Sequence, residues 1–112
     1  MKVFISQGMR GKTDEEILKR RSAAEKWMKE KFPEDNIEIL DTFFKDFNGN
    51  RLQFLGKSIM DGLAKAHVCL MVDDWQNYSG CVCEHNVANN YDVPIFYFGR
   101  EEIKSRLPES RA

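Results

Sequence analysis

The run DDWQNYSGCVCE, at positions 73–84, concentrates side chains that can do chemistry directly after an apolar segment. Asp73 and Asp74 can orient a hydroxyl group or carry a proton to a leaving group. Glu84 falls about one turn into a helix that begins near Gly80, where the helix dipole favours the ionised carboxylate. A positioned, ionised carboxylate suits reactions that pass through a cationic, sugar-like transition state, either as nucleophile or as charge stabiliser.

Each of these residues also has a plainer interpretation. Glu84 can be a solvated acid at a helix start, and the two aspartates can simply close a strand. Taken one residue at a time, sequence chemistry favours those plainer roles. Trp75 is about equally suited to stack on a base and to pack locally. Cys81 and Cys83 form a lone C-x-C without a second pair of ligands, so we expect no metal site.

A second polar loop, QGMRGK at positions 7–12, follows the first strand-like segment. Its glycines and Arg10 can hold a phosphate through backbone amides and a guanidinium group. The capping-box pattern formed by Thr13 and Glu16 already uses amides at the helix start, however, and the adjacent acids repel an anion. A phosphate at this loop would therefore depend on Arg10, the loop amides and the hydroxyl of Ser79.

The composition predicts one globular domain that spans residues 1–112. Hydrophobic residues make up 42% of the chain and charged residues 31%, which suits a protein with a single core. The net charge of -1 implies no overall attraction to nucleic acid or to an anionic membrane. The apolar runs are too short to span a bilayer. With three cysteines and no signal-peptide pattern, we expect a cytoplasmic protein with free thiols.

The order of hydrophobic patterns predicts strands that alternate with helices. Short apolar or alternating segments predict four strands, at residues 2–6, 36–40, 67–72 and 93–98. Helical spacing predicts helices at residues 13–32, 52–63 and about 79–91, and a short polar helix at 100–106. The cluster Lys19-Arg20-Arg21 is expected on the solvated face of the first helix.

This alternation predicts a Rossmann-like, flavodoxin-like α/β fold. We expect a doubly wound parallel sheet of strand order 2-1-3-4, with helices on both faces. Ligands of such sheets bind outside the carboxyl ends of the strands, at the switch point between strands one and three. The two most unusual loops of the chain, at residues 7–12 and 73–80, follow those two strands. We therefore expect them to form one site.

Three stretches of the chain resemble a family of small phage and bacterial proteins that are grouped with nucleoside 2-deoxyribosyltransferases. They are the opening FISQGMRGKTDEE, the motif W-x-N-x-x-G-x-x-x-E at Trp75, Asn77, Gly80 and Glu84, and the closing VPIFYF. The resemblance covers nearly the whole chain. Characterised members of the wider superfamily are deoxyribosyltransferases and nucleoside 5'-monophosphate N-glycosidases, which cleave the bond between sugar and base.

The resemblance implies roles for particular residues. The superfamily nucleophile is a glutamate four positions after a glycine, which Gly80 and Glu84 match. The loop after strand one and a serine before the glutamate contact the phosphate in the monophosphate hydrolases. The substrate-binding residues implied here are Ser6, Gln7, Gly8, Met9, Arg10, Gly11, Trp75, Asn77, Ser79 and Gly80. Active sites of the superfamily lie near subunit interfaces, which implies a homodimer or a larger assembly.

Three positions depart from the pattern of the catalysing enzymes. Their strand-one tyrosine corresponds to Phe4, which has no hydroxyl. Their aspartate before strand three has Asp61 as its nearest counterpart, and an offset of two residues turns a helical side chain by roughly 200°. Relatives often have proline where Gly8 stands. Asp73 or Asp74 would then have to supply the missing carboxylate.

These observations lead to two functional hypotheses of different classes. The first is an N-glycosidic-bond enzyme, an N-glycosidase or 2-deoxyribosyltransferase, with Glu84 as nucleophile, Asp73 and Asp74 assisting, and no cofactor. Arg10 and Ser79 favour phosphorylated substrates. The second is a nucleotide-binding or sequestering protein that has lost turnover. A more distant hypothesis is kinship with signalling domains that act on NAD. Each of them has a nucleoside or nucleotide as its partner, rather than nucleic acid or a membrane.

Overall fold

The computed structural model describes residues 1–44 and 46–99. Its strands are β1 (Lys2–Ser6), β2 (Glu38–Ile39), β3 (Val68–Met71) and β4 (Ile95–Tyr97). Its helices are α1 (Asp14–Lys31), α2 (Arg51–Asp61) and α3 (Ser79–Asn90), with short 3-10 turns at Leu63–Lys65 and Trp75–Asn77. The predicted helix at 100–106 lies outside the described residues.

The four strands form one sheet in the order β2-β1-β3-β4, and every pair is parallel. In the β1–β3 pair, Phe4 lies opposite Cys69 and Ser6 lies opposite Met71. The predicted α/β class, parallel sheet and strand order 2-1-3-4 are therefore confirmed. The carboxyl ends of β1 and β3 lie side by side, so the loops that follow them start at the same edge of the sheet.

Helices cover both faces of this sheet. Successive residues of a strand point to opposite faces. Ile5 of β1 packs in one buried cluster with Met28 of α1, while its neighbour Phe4 packs in a second cluster with Ala88 of α3. β3 is buried along its whole length, as expected of a central parallel strand.

The three helices begin in different ways. The capping box of α1 is present as predicted, because Thr13 Oγ1 accepts from the Glu16 amide and Glu16 Oε1 accepts from the Thr13 amide. A second capping box, formed by Asn50 and Gln53, begins α2. At α3 the N-cap residue is Tyr78, whose side chain makes no capping hydrogen bond. The first amides of α3 therefore have no side-chain cap.

The expectation of a solvated cluster at Lys19-Arg20-Arg21 is wrong for Arg21, which is buried. Its guanidinium group donates to the carbonyl of Leu40, the hydroxyl of Thr42 and the side-chain oxygen of Gln7. Burial lowers the pKa of Arg21, against the effect of nearby carboxylates. The guanidinium carries enough donors to satisfy several acceptors at once, which makes burial tolerable. Arg21 thus links α1 to the segments that follow β1 and β2.

Candidate functional site

A cavity of about 590 Å³ opens at the switch point between β1 and β3. This volume falls within the range of small-molecule sites, about 300–1,000 Å³. Its walls come from the loop after β1, the start of α2 and the start of α3. The lining residues are Gln7, Gly8, Met9, Arg10, Arg51, Leu52, Phe54, Leu55, Tyr78, Ser79, Gly80, Cys81, Cys83 and Glu84.

Glu84 is the buried carboxylate of this cavity, with only 7% of the residue exposed. Its two oxygens each accept a hydrogen bond from a serine. Ser6 Oγ, at the end of β1, donates to Oε1 at 2.7 Å. Ser58 Oγ, in α2, donates to Oε2 at 2.7 Å. Glu84 is therefore held by groups from two other elements and is not a solvated acid at the start of a helix.

Burial raises the pKa of Glu84 above its ordinary value, because the charged form loses solvation. The hydrogen bonds from Ser6 and Ser58 and the positive charge of Arg21 act in the opposite direction. A carboxylate in this environment has lost much of its water shell. Its oxygens are accordingly better placed to attack an electrophile than those of a fully solvated acid.

The thiol of Cys81, one turn before Glu84 on α3, experiences the same effect of burial. Burial raises the pKa of Cys81 to about 11, so this thiol is protonated at neutral pH. Because the thiolate is the reactive form of cysteine, Cys81 is not an activated nucleophile. Glu84 is thus the better nucleophile of the two.

The mouth of the cavity carries positive groups. Arg51, the first residue of α2, donates from Nη2 to Ser79 Oγ at 3.0 Å. Arg10 is exposed on the opposite loop. The uncapped start of α3 adds backbone amides at Ser79 and Gly80. Among the described residues that line the cavity, Glu84 is the single acid. The site therefore has a cationic mouth and a buried anionic group.

Apolar side chains form one wall between these charged groups. Leu52 and Leu55 of α2 face the cavity together with Phe54. Phe54 in turn holds the preceding loop, since Phe44 and Phe47 pack edge to face against it with ring centres 5.6 and 5.3 Å away. The loop that carries Phe44 and Phe47 is anchored on α2 in this way.

Tyr78 closes the opposite side of the cavity by packing on Gly8. A Cβ atom added at Gly8 would lie 2.2 Å from the Tyr78 ring, far inside van der Waals contact. The Tyr78 hydroxyl donates to the carbonyl of Arg10 at 3.4 Å. Glycine at position 8 is therefore required by the ring of Tyr78.

Asp73 and Asp74 do not line the cavity. Asp73 accepts two hydrogen bonds from the guanidinium group of Arg20, at 2.7 and 2.8 Å, and has a positive φ of 48°. Asp74 pairs with Lys12 at 3.4 Å. Both carboxylates are exposed ion-pair partners, so the geometry gives them a role in the turn after β3 and brings neither of them to Glu84.

The remaining predicted residues fall into two groups. Inside the cavity wall are Gln7, Gly8, Met9, Arg10, Ser79 and Gly80. Outside it are Gly11, in a turn with a φ of 82°, and two residues of the 3-10 turn, Trp75 and Asn77. Ser6 is not part of the wall but bonds to Glu84.

Trp75 stacks on His85, with ring centres 4.5 Å apart and the planes inclined by 15°. His85 Nε2 also lies 2.6 Å from the hydroxyl of Tyr97. His85 is thus half-buried between two aromatic rings and is not a surface residue. Trp75 takes the local-packing role that the sequence left open.

Several residues of this site were not assigned to it from the sequence. They are Arg51, Leu52, Phe54, Leu55, Ser58, Tyr78, Cys81 and Cys83. One signal was present in α2: Leu55 and Ser58 lie four and seven residues after Arg51, which puts all three on one helical face. Ser58 is the buried residue of α2. The apolar spacing of α2 gave the same weight to Leu52, which is 75% exposed, as to Leu55.

No known protein family, curated protein or solved structure matches this chain. Within residues 1–44 and 46–99, no helix combines the length and apolar character needed to cross a membrane. The same part of the chain contains no group of three or more His, Cys, Asp or Glu side chains that could hold a metal ion.

Proposed function

We propose that the protein cleaves the N-glycosidic bond of nucleoside 5'-monophosphates, with Glu84 as nucleophile. The observation that carries this proposal is a buried carboxylate, hydrogen-bonded at both oxygens, inside a cavity whose mouth is cationic. This arrangement is complementary to a ligand with an anionic group at one end and a carbon that becomes cationic further in. A nucleotide has both features.

In the proposed complex the phosphate lies at the mouth, between Arg10 and Arg51, near the first amides of α3. Guanidinium groups and helix-start amides are the donors that proteins use for phosphate. The base packs on the apolar wall of Leu52 and Leu55. These contacts leave the sugar between the mouth and Glu84.

The chemical step has two halves. A carboxylate oxygen of Glu84 forms a bond to the anomeric carbon while the bond from that carbon to the base nitrogen breaks, and its electron pair leaves with the base. The departing base takes a proton from water, because the aspartates at 73 and 74 are engaged in ion pairs on the surface. Water or a second base then attacks the anomeric carbon, loses a proton and releases Glu84.

A second candidate is a nucleotide-binding protein without turnover. One observation favours it. Phe4 is fully buried against the core and has no hydroxyl to offer, and Asp61 pairs with Lys57 on the surface of α2. The two side chains that assist catalysis in the resembling enzymes thus have no direct counterparts near Glu84. The serines on Glu84 are the groups that compensate in the catalytic proposal.

The test is chromatographic detection of free base. Purified protein is incubated with nucleosides, their 5'-monophosphates and NAD. The active-site variant is Glu84→Gln, which keeps the side-chain shape and removes the charge. The matched control is Glu30→Gln, at an exposed glutamate of α1.

The proposal expects base release from 5'-monophosphates by the native protein and by Glu30→Gln, and a loss of at least about 1,000-fold in Glu84→Gln. This is the scale on which removal of a catalytic nucleophile acts. Absence of base release, combined with a rise in melting temperature on addition of monophosphates, would instead support the binding protein. Base release that persists in Glu84→Gln would contradict the assigned nucleophile.

A further inference from the structure

We propose that Ser6 and Ser58 are positioning residues that together orient the Glu84 carboxylate for attack. This inference rests on the proposed function, because it assigns the two hydroxyls to the same reaction. The two serines are called the serine clamp below. Nothing in the sequence motifs pointed to Ser58, which lies 26 positions before Glu84.

The geometry of the clamp fixes the plane of the carboxylate. Ser6 ends a central strand and Ser58 lies in α2, and both are almost fully buried. Each donates to a different oxygen of Glu84 at 2.7 Å. A glutamate side chain has several rotatable bonds, so anchors on two separate elements restrict both its position and its rotation. A nucleophile held in this way loses little freedom when the substrate arrives.

The chemistry of the clamp leaves the charge on Glu84 available. A hydroxyl is a neutral donor, whereas a direct lysine or arginine partner would pair with the carboxylate and compete with a developing sugar cation. Arg21 is the buried cation that acts on Glu84, and its guanidinium donates to Gln7, the carbonyl of Leu40 and Thr42. It supports the negative charge from a distance and leaves both carboxylate oxygens to the serines.

Two thiols also interact with Glu84. Cys81 lies on the same helix, one turn before Glu84, and Cys69 lies on the central strand β3. Burial raises the pKa of both thiols, so both are neutral at physiological pH. The ionised form of Glu84 is therefore stabilised by two hydroxyls and one distant guanidinium.

A purely structural role for Ser58 is the alternative. Ser58 is the buried residue of α2, and its hydrogen bond also ties that helix to α3. Such an anchor affects stability and, through its hydrogen bond, the pKa of Glu84, but it has no reason to slow turnover once Glu84 is ionised in a protein that remains folded. Turnover at pH values where Glu84 is ionised in both proteins therefore separates the two roles.

The experiment uses Ser58→Ala, with Ser22→Ala on the exposed face of α1 as control and Ser58→Thr as the variant that restores a hydroxyl. The titration of the Glu84 carboxyl carbon is followed by NMR, with Glu84→Gln identifying the signal. Base release from a 5'-monophosphate is measured across the same pH range. The NMR titration needs no turnover, so it tests the clamp even if the proposed function fails.

In Ser58→Ala the Glu84 titration is expected to move to higher pH, since a hydrogen bond to the charged form has been removed. Turnover is expected to fall about tenfold or more, the scale of one hydrogen bond to a charged group, with little change in KM. Ser58→Thr should recover part of both effects, and Ser22→Ala should show neither.

An unchanged Glu84 titration in folded Ser58→Ala would overturn the clamp, and so would unchanged turnover at pH values where Glu84 is ionised in both proteins. If Ser58→Ala does not fold, Ser6→Ala removes the donor to the other oxygen and is measured in the same way. The same upward movement of the Glu84 titration is expected there, and its absence would again contradict the proposal.

Discussion

Burial of Glu84 disfavours its charged form and so lowers the stability of the folded protein at neutral pH. Its pKa in the folded state lies above the ordinary value of 4.5, so the folded state binds that proton more tightly than the unfolded chain does. The contribution of Glu84 to stability is therefore fully present below pH 4.5 and is lost as the pH rises through the folded-state pKa. At neutral pH the buried charge is a net burden, as is common at functional sites.

We predict that Glu84→Gln raises the free energy of unfolding by about 1 kcal/mol at pH 8. Glutamine is uncharged, and the two serine hydroxyls can pair with its amide. The gain should shrink as the pH is lowered toward 4.5. Urea denaturation between pH 5 and 8 measures it, with Glu30→Gln as the control. A loss of stability in Glu84→Gln at pH 8 would show that the charge serves the fold.

Gly8, in the cavity wall, and Gly56, exposed in α2, make a matched pair of substitution sites. A Cβ at Gly8 would collide with the Tyr78 ring, whereas a Cβ at Gly56 in α2 would meet nothing within 4 Å. Gly8→Ala should destabilise the protein by about 1–3 kcal/mol through overpacking. Gly56→Ala should stabilise it by up to about 1 kcal/mol through helix propensity. Thermal unfolding of both variants checks this, and equal effects would contradict the packing of Tyr78 on Gly8.

For α2 and α3, which form the mouth of the cavity, the sequence predicted the existence of both helices but not the orientation of α2. Their existence follows from hydrophobic spacing, and the parallel order follows from the alternation of strands and helices. The orientation of α2 on the sheet does not follow from its hydrophobic spacing. That spacing gave equal weight to Leu52, which is mostly exposed, and to Leu55, which is only half-buried in the cavity wall. A short helix at the rim of a sheet is placed by tertiary contacts such as the bond from Ser58 to Glu84.

The bond between α2 and α3 at the mouth predicts selectivity for phosphate. Arg51 donates directly to Ser79 at the uncapped start of α3, so its charge is not neutralised there by a carboxylate partner. Arg51→Ala should weaken binding of a nucleoside 5'-monophosphate about tenfold, the effect of one charge-assisted contact. Binding of the parent nucleoside should be unchanged. Calorimetric titration measures both.

Lys26→Ala, at an exposed position of α1, is the control for general loss of positive charge. It should leave both affinities unchanged. Equal weakening of nucleoside and monophosphate by Arg51→Ala would mean that the residue shapes the cavity and does not bind phosphate.

At the scale of the whole molecule, the topology was the most informative prediction. It predicted a site at the β1–β3 switch point without any motif, and the cavity with Glu84 lies there. It did not separate the two loops by function. The loop after β3 is occupied by ion pairs and by the stack of Trp75 on His85, so its polar residues serve the fold. Side-chain partners contributed by α1, the loop after β1 and α3 decided this, and local sequence does not contain them.

Activity should follow the ionisation of one group across the accessible pH range. Because Glu84 must be ionised to attack and its pKa is raised by burial, the rate of base release should rise with pH and level off above its folded-state pKa. The midpoint should lie above 4.5. A rate that falls over the same interval would indicate that Glu84 acts as an acid and not as a nucleophile.

The stereochemistry of the product tests the central claim most directly. Turnover of a β-configured nucleoside 5'-monophosphate in water containing methanol yields a methyl glycoside, whose anomeric configuration is read by NMR. Attack by Glu84 followed by attack of methanol is a double displacement, so the account predicts the β-methyl glycoside and its absence with Glu84→Gln. The α-methyl glycoside, formed by a single displacement, would contradict a covalent role for Glu84.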